Sequence, residues 1–216
     1  MSLAIGLVVA GGATWIFAAL LDAVFDKATM VRWDLAVADR VHSIVTPTGT
    51  RIFDWITRVG SPNSMTWMTI VVCLLLISSG RLHLAIVWIA AFAGGAGLET
   101  ILKSVVHRTR PEYAGHYLAS GSYSFPSGHA TLSFLGVSML LYTLISTNRL
   151  RDPMMRRSAI VLAAAWILLV GLSRVYLGVH FPSDVVGGYM IAAAWFSTCV
   201  TVAHLVRQRT SLESRE

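Results

Sequence analysis

The chain has 216 residues, of which 55% are hydrophobic and only 13% are charged. Soluble domains carry about 25% charged residues, so this deficit indicates a polytopic membrane protein. The net charge is +6, but the basic residues are scattered and no basic run is present, which argues against nucleic-acid binding. The two cysteines, Cys73 and Cys199, lie in apolar runs, and we interpret them as packing residues that form neither a disulfide nor a metal site.

The N-terminal part of the chain predicts one membrane span followed by interfacial helices. Residues 3–21 carry no charge, and about 20 such residues cross the hydrocarbon core. No basic residue precedes this run, so we expect an uncleaved first helix. Residues 22–58 hold five acidic and five basic residues, while their apolar residues recur at helical spacing. This pattern predicts amphipathic interfacial helices between the first and second membrane spans.

The remainder of the chain predicts five more transmembrane helices. Their expected ranges are about 63–80, 82–107, 127–146, 158–178 and 183–206. In the third helix, Gly94, Gly95 and Gly97 would allow close contact with neighbouring helices. The expected fold is therefore all-α, with six transmembrane helices in a single domain over 1–216.

The distribution of arginines predicts which side of the membrane each loop occupies. Six spans put both termini on one side, together with Arg81 and the loop 149–157, which holds four arginines. Positive residues favour the cytoplasm, so we expect cytoplasmic termini in an inner (plasma) membrane protein. The five basic residues of 22–58 argue the other way, but the short loop is the better indicator. The outer ends of the third to sixth helices would then lie together on the extracytoplasmic side.

Polar residues at those four helix ends suggest an anion site. Lys103, His107 and Arg110 are spaced four and three apart, which predicts one helical face. Arg174 falls in the last turn of the fifth helix and adds a third fixed cation to Lys103 and Arg110. Three cations against the single carboxylate of Asp184 favour phosphate, because arginine matches phosphate oxygens with forked donors.

Two histidines in this region could perform nucleophilic and acid–base chemistry. His180 lies four residues before Asp184, and a hydrogen bond between them would leave the other ring nitrogen free to attack. His129 could protonate the leaving alkoxide and later activate water. This division of roles needs no metal or other cofactor. The alternative is a metal site of His129, His180 and Asp184, which three neighbouring cations disfavour.

Smaller features complete the predicted site. Ser127 is placed to cap the fourth helix, and Gly128 leaves its first N–H groups open to an anion. Glu99, four residues before Lys103, either pairs with that lysine or makes a structural hydrogen bond between helices.

Three spaced motifs resemble those of the type 2 phosphatidic acid phosphatase family. The family signature is K-x6-R-P, P-S-G-H and S-R-x5-H-x3-D. The matching residues are Lys103 with Arg110-Pro111, Pro126-Ser127-Gly128-His129, and Ser173-Arg174 with His180 and Asp184. The resemblance covers the third to sixth helices by motif and the first 100 residues by architecture alone.

The resemblance implies a role for each matching residue. His180 would be the nucleophile that forms a phosphohistidine, Asp184 would orient it, and His129 would be the general acid–base. The implied phosphate-binding residues are Lys103, Arg110, Arg174, Ser127 and Gly128. Ser173 would give further support at the phosphate.

The expected function is a metal-independent phosphatase for membrane lipid phosphates or diphosphates at the extracytoplasmic face. Candidate substrates are phosphatidylglycerophosphate, phosphatidic acid, undecaprenyl diphosphate and the phosphate of lipid A. A phosphotransferase could use the same site with another acceptor, and a non-enzymatic lipid-binding protein is a third hypothesis. The expected partners are the lipid substrate and the bilayer, with neither nucleic acid nor an obligate protein partner.

Overall fold

The computed structural model describes residues 3–25, 29–113 and 123–213, and within these ranges the chain is helical with no strand. The helices are α1 (Leu3–Phe25), α2 (Thr29–His42), α3 (Pro47–Val59), α4 (Pro62–Ser78), α5 (Leu82–Val106), α6 (Gly128–Ser146), α7 (Pro153–Tyr176) and α8 (Pro182–Glu213). The prediction of an all-α fold is confirmed. Residues 114–122, between the predicted third and fourth transmembrane helices, lie outside the described ranges.

Six helical stretches are long and apolar enough to cross a bilayer, as predicted. They are Leu3–Phe25, Pro47–Ser78 (α3 and α4 taken together), Leu82–Val106, Gly128–Ser146, Pro153–Tyr176 and Pro182–Arg209. Large apolar side chains point away from the bundle: Trp15 is 73% exposed and Trp67 is 68% exposed. Such exposure would be costly in water but suits contact with lipid chains. The chain is therefore a multi-pass membrane protein.

The start of α7 differs from prediction because a cap determines it. The helix begins at Pro153 rather than 158, with the Asp152 carboxylate accepting a hydrogen bond from the Met155 N–H at 2.7 Å. Proline is favoured at the first helical position, where its missing N–H costs nothing. Arg156 and Arg157 therefore belong to the first turn of α7 and not to a loop. Their long side chains can reach the headgroup level from that turn.

The predicted interfacial segment contains two helices, α2 and α3. Thr46 caps α3, since its Oγ1 accepts from the Gly49 N–H at 3.1 Å. The Thr46 N–H itself donates to the Tyr176 hydroxyl at the end of α7, at 2.9 Å. α3 packs against α7, and α2 packs against both α7 and α8. Both helices are thereby held against the elements that carry the predicted site.

The core lies where α5 meets α4, α6 and α8. Trp88 is fully buried, and its indole N–H donates to Thr143 Oγ1 of α6 at 2.7 Å. Gly94 lies against Trp195 of α8, and a side chain on this glycine would overlap the indole ring. Gly97 faces open space, so it plays no part in the predicted close packing. These contacts fix the relative positions of the helix ends that form the site.

Candidate active site

Helix α5 ends before the residue that the predicted helical face requires. His107 adopts a left-handed conformation with φ 50°, and its N–H donates to the Lys103 carbonyl at 3.2 Å. Such a residue ends a helix, so Arg110 lies in the following non-helical segment. The prediction that Lys103, His107 and Arg110 share one helical face is therefore wrong. Lys103 reaches the site from α5, whereas Arg110 reaches it from the segment that precedes Pro111.

Lys103 forms an ion pair with Glu99 of its own helix, and this pair lies beside the start of α6. Its Nζ lies 2.5 Å from Glu99 Oε1, so the first of the two predicted roles of Glu99 is present. This pair lies directly against Gly128, where a Cβ atom would come within 2.7 Å of Glu99 Oε1. Glycine at position 128 thus allows the Lys103–Glu99 pair to approach the N-terminus of α6. One cation of the predicted site is brought beside the P-S-G-H motif.

A backbone hydrogen bond joins the N-terminus of α6 to the N-terminus of α8. The Ser127 N–H donates to the Asp184 carbonyl at 3.0 Å. Ser127 precedes the helix in an extended conformation, but its side chain makes no capping hydrogen bond, so that part of the prediction is wrong. Its Oγ is buried and has no hydrogen-bond partner among the described residues. His129, in the first turn of α6, keeps partial exposure.

His180 has a different partner at each ring nitrogen. Nδ1 lies 3.4 Å from Asp184 Oδ2, and Nε2 lies 3.1 Å from Arg110 Nη1. A guanidinium has donors only, so Nε2 accepts from Arg110 and carries no proton. The proton of the neutral ring is therefore assigned to Nδ1, on the side of Asp184.

The predicted cations surround the two histidines. Burial lowers the pKa of His180 well below its ordinary value, and three nearby positive charges lower it further. Those charges belong to Arg110, Arg174 and Lys103. The same three cations and His180 are within electrostatic range of His129. The structure therefore brings together both histidines, Asp184 and all three predicted phosphate-binding cations.

Arg174 and Ser173 sit in the last turn of α7 but face different surroundings. Arg174 is 7% exposed and donates from Nη1 to Thr57 Oγ1 of α3 at 2.6 Å. Ser173 is fully buried and donates to the Val170 carbonyl of its own helix at 2.5 Å. The Ser173 hydroxyl is therefore engaged within α7, and the phosphate contact predicted for it has no support in this geometry.

Sequence reasoning missed Arg108 and Asp34, which are both buried next to Asp184. A signal for Asp34 exists in the sequence. It lies four residues before Ala38, so it falls on the apolar face of α2. An acid on a buried face needs a partner, and that requirement could have identified it. Arg108 has no comparable signal, because its position depends on where α5 ends.

The alternative of a metal site lacks a ligand set in the described part of the chain. There, no group of three or more His, Cys, Asp or Glu side chains is arranged to hold an ion.

Comparisons with known proteins identify several relatives that are named as lipid phosphatases or diphosphatases. Phosphatidylglycerophosphatase B of Bacillus subtilis is 25% identical over 182 residues, which cover 84% of this chain and 89% of that protein. An undecaprenyl-diphosphatase of Sulfolobus acidocaldarius is 30% identical over 136 residues, 61% of this chain and 60% of that protein. A lipid A 1-phosphatase of Rhizobium johnstonii is 31% identical over 117 residues, 49% of this chain and 41% of that protein.

A solved structure shares the fold. The crystal structure of a transmembrane PAP2 type phosphatidylglycerolphosphate phosphatase from Bacillus subtilis superposes with a TM-score of 0.81. The match covers 89% of this chain and 94% of that one, at 24% sequence identity. The PAP2 superfamily profile matches residues 82–208, which hold all three motifs. The family that the motifs resemble is confirmed, and the chain belongs to the PAP2 superfamily.

Proposed function

We propose that this protein is an integral membrane phosphatase that hydrolyses a lipid phosphate or diphosphate through a phosphohistidine on His180. The observation that carries the proposal is the arrangement around this ring. Asp184 lies at Nδ1, Arg110 lies at Nε2, and the cations Lys103 and Arg174 lie nearby. A neutral imidazole with its lone pair directed toward an anion-binding cluster is suited to attack phosphorus.

In the first half of the reaction, Nε2 of His180 attacks phosphorus and the bond to the leaving oxygen breaks. Arg110 exchanges its contact with Nε2 for a phosphoryl oxygen as the substrate binds. The negative charge of the bound substrate offsets the surrounding cations, so His129 takes up a proton as the substrate binds and gives it to the leaving oxygen. Phosphoryl transfer depends mainly on positioning and on neutralising the equatorial oxygens. Lys103, Arg110 and Arg174 supply that charge.

In the second half, water releases phosphate from the enzyme. His129, now neutral, takes a proton from the attacking water, and the N–P bond breaks to restore neutral His180. The buried Ser127 hydroxyl and the Gly128 N–H group at the start of α6 offer further hydrogen bonds to the phosphoryl oxygens. A helix N-terminus also carries a partial positive charge that favours anions.

The proposed reaction uses no metal ion. Where a metal would bridge the phosphate oxygens in other phosphatases, three fixed side-chain cations are present here. Excess EDTA is therefore expected to leave turnover unchanged.

A cavity beside the site supports a lipid substrate. It has a volume of about 580 Å³ and shares Arg110 with the catalytic cluster. Its apolar wall comes from α1, α2 and the end of α5, with Val24, Phe25, Val31, Leu35, Ala38 and Val106. Polar residues, including Asp39 and Tyr113, also line it. A molecule with a phosphate next to a hydrocarbon chain fits a cavity of this mixed character.

The relatives suggest which lipids to test. Their names refer to phosphatidylglycerophosphate, undecaprenyl diphosphate and lipid A. We propose phosphatidylglycerophosphate, phosphatidic acid and undecaprenyl diphosphate as the first candidates and the lipid A phosphate as an alternative. The site would lie at the extracytoplasmic face of the inner membrane, with both termini in the cytoplasm.

Phosphate release from detergent-solubilised protein tests the proposed function. The four lipids would be compared with and without excess EDTA, with His180→Asn as the inactive control. We expect release from at least one lipid, insensitivity to EDTA and no release by the variant. A transferase would instead consume lipid phosphate only when an alcohol acceptor is added. Full turnover by His180→Asn would contradict the nucleophile assignment.

A further inference from the structure

Arg108 lies at the centre of a buried polar cluster that joins α2 to the first turn of α8. Its Nη2 donates to Asp34 Oδ2 at 2.7 Å. Its Nη1 donates to Asp184 Oδ1 and to Ser183 Oγ, both at 2.7 Å. The Arg108 side chain is 9% exposed, and its guanidinium lies 4.5 Å from the centre of the Phe181 ring. Stacking and three hydrogen bonds fix this side chain in one orientation.

Asp34 completes the cluster from the interfacial helix α2. It is fully buried, and its Oδ1 accepts from the Ser183 N–H at 3.1 Å. Its Oδ2 accepts from both Arg108 and the Ser183 hydroxyl. The three side chains thus form a closed ring, in which Ser183 accepts from Arg108 and donates to Asp34. A buried carboxylate is tolerated only when it is paired in this way.

The carboxylate of Asp184 has a separate set of partners at each oxygen. Oδ1 is bound by Arg108, while Oδ2 accepts from the Phe181 N–H at 2.9 Å and faces His180 Nδ1 at 3.4 Å. A carboxylate can rotate about its last side-chain bond unless both oxygens are held. Arg108, together with the Phe181 N–H, therefore fixes the rotation of this carboxylate against the imidazole, and Asp34 fixes the position of Arg108.

Stability alone does not account for this cluster. A buried ion pair often contributes no more than well-packed apolar residues of the same size, because both charges lose their hydration. The cluster also ends on the carboxylate that holds the nucleophile. From these contacts we infer that Asp34 and Arg108 are positioning residues, which orient Asp184 so that His180 keeps its proton on Nδ1 and its lone pair on Nε2. This inference rests on the proposed function.

Asp34→Asn is the most informative variant. It keeps the size of the side chain and leaves Arg108 paired with Asp184, so the chain should still fold. One acceptor oxygen becomes an amide that faces donors of Arg108 or Ser183, so some loss of stability is expected. Arg108→Gln would leave two buried carboxylates without a cation and is expected to misfold. Arg108→Lys is the conservative companion, since one ammonium keeps the charge but cannot reproduce the forked contacts. Asp54→Asn is the matched control, because Asp54 pairs with Arg58 at 2.8 Å on α3, where the Arg58 side chain is 77% exposed.

The test measures kcat, KM, inhibition by inorganic phosphate and thermal unfolding of each full-length variant in detergent. For Asp34→Asn we expect kcat to fall about 10- to 100-fold, the usual loss when a group that orients a reacting side chain is removed. KM and phosphate inhibition should change little, because the phosphate-binding cations are untouched. The unfolding temperature should fall only modestly, because the cluster loses one acceptor. Arg108→Lys should keep a kcat between those of Asp34→Asn and the wild type.

The outcomes separate this inference from the proposed function. Normal hydrolysis by the wild type and by Asp54→Asn, with unchanged kcat in Asp34→Asn, would overturn the inference and leave the phosphatase function standing. A fall in kcat matched by weaker phosphate inhibition and a lower unfolding temperature would indicate general damage and also overturn it. No hydrolysis by the wild type would overturn the proposed function and the inference together.

Discussion

The two nitrogens of His180 face groups of opposite charge, and this arrangement determines its protonation state. Burial and the neighbouring cations lower its pKa well below the ordinary value, so the ring is neutral at neutral pH. Because the neutral form is the nucleophile, activity should persist into mildly acidic conditions. On the acid side it should be lost as the pH falls through the lowered pKa of His180 and the ring becomes protonated.

Removal of one cation should move that acid limit in a defined direction. Arg110→Gln takes away the largest charge contribution at His180, so the pKa of His180 should rise and activity should be lost at higher pH than in the wild type. The kcat/KM should also fall by about 10²–10³, as expected for loss of a contact to a developing oxyanion. The measurement is the pH profile of kcat/KM on one substrate. Arg58→Gln removes an exposed cation and serves as the control. An acid limit of Arg110→Gln that equals that of the wild type, or lies at lower pH, would contradict the argument.

The Ser127 hydroxyl should contribute to catalysis at the expense of stability. A buried hydroxyl without a partner costs about 1–3 kcal/mol, so Ser127→Ala should leave the free energy of unfolding unchanged or raise it. Hydrogen bonds to charged groups contribute about 1.5–3 kcal/mol, so kcat/KM should fall about 10- to 100-fold.

Thr69→Val provides the comparison for Ser127→Ala. Thr69 Oγ1, on α4, is also buried without a hydrogen-bond partner among the described residues, but it lies away from the motifs. This variant should gain stability with normal turnover. Thermal unfolding and steady-state kinetics compare the stability and turnover of the two variants. Full activity in Ser127→Ala would exclude its hydroxyl from phosphate binding.

At the scale of single residues, the sequence identifies the motif members better than their neighbours. His180 and Asp184 are four residues apart where a helix begins, and this spacing brings the imidazole next to the carboxylate. The sequence predicts a helical position for Arg110, but α5 ends at Val106, four residues before it, because His107 adopts a left-handed conformation. The contact between Arg108 and Asp34 spans 74 positions, and no local pattern predicts such a pair.

The interfacial helices α2 and α3 each reach the site through one polar side chain. Thr57 of α3 accepts a hydrogen bond from Arg174, and Asp34 of α2 accepts one from Arg108. The sequence predicts both helices from their apolar spacing. It does not predict that they face the bundle with polar residues, since amphipathic spacing identifies a buried face but not its partner.

The face of α2 next to α1 should influence lipid binding and leave the chemistry unchanged. Leu35 lines the cavity beside Arg110, and Leu35→Trp would fill part of it. Overpacking costs about 1–3 kcal/mol, so KM for a long-chain lipid phosphate should rise about tenfold. Turnover of the small soluble substrate p-nitrophenyl phosphate should not change.

Leu74→Trp is the control for the cavity, since Leu74 is 61% exposed on α4 and should face lipid. Steady-state kinetics with both substrates compares the two variants. If Leu35→Trp lowered kcat/KM equally for the lipid and for p-nitrophenyl phosphate, the defect would lie at the catalytic residues and not in the cavity.

For the molecule as a whole, the alternation of spans places the site on one side of the membrane. We expect a cysteine at position 43, in Ser43→Cys between α2 and α3, to react with a membrane-impermeant maleimide on intact cells. A cysteine in Arg151→Cys, between α6 and α7, should react only after the membrane is opened. The two native cysteines lie within helices and are replaced in both variants. The opposite labelling pattern would show that the site faces the cytoplasm.

The central claim is that His180 carries the phosphoryl group, and trapping that intermediate tests it most directly. Wild-type protein would be mixed with a lipid substrate labelled in its terminal phosphate, quenched within milliseconds in base and digested to peptides. The account predicts an acid-labile, base-stable phosphate on the peptide that contains His180, and no label in His180→Asn. Rapid turnover with no labelled enzyme, or label that persists in His180→Asn, would contradict it.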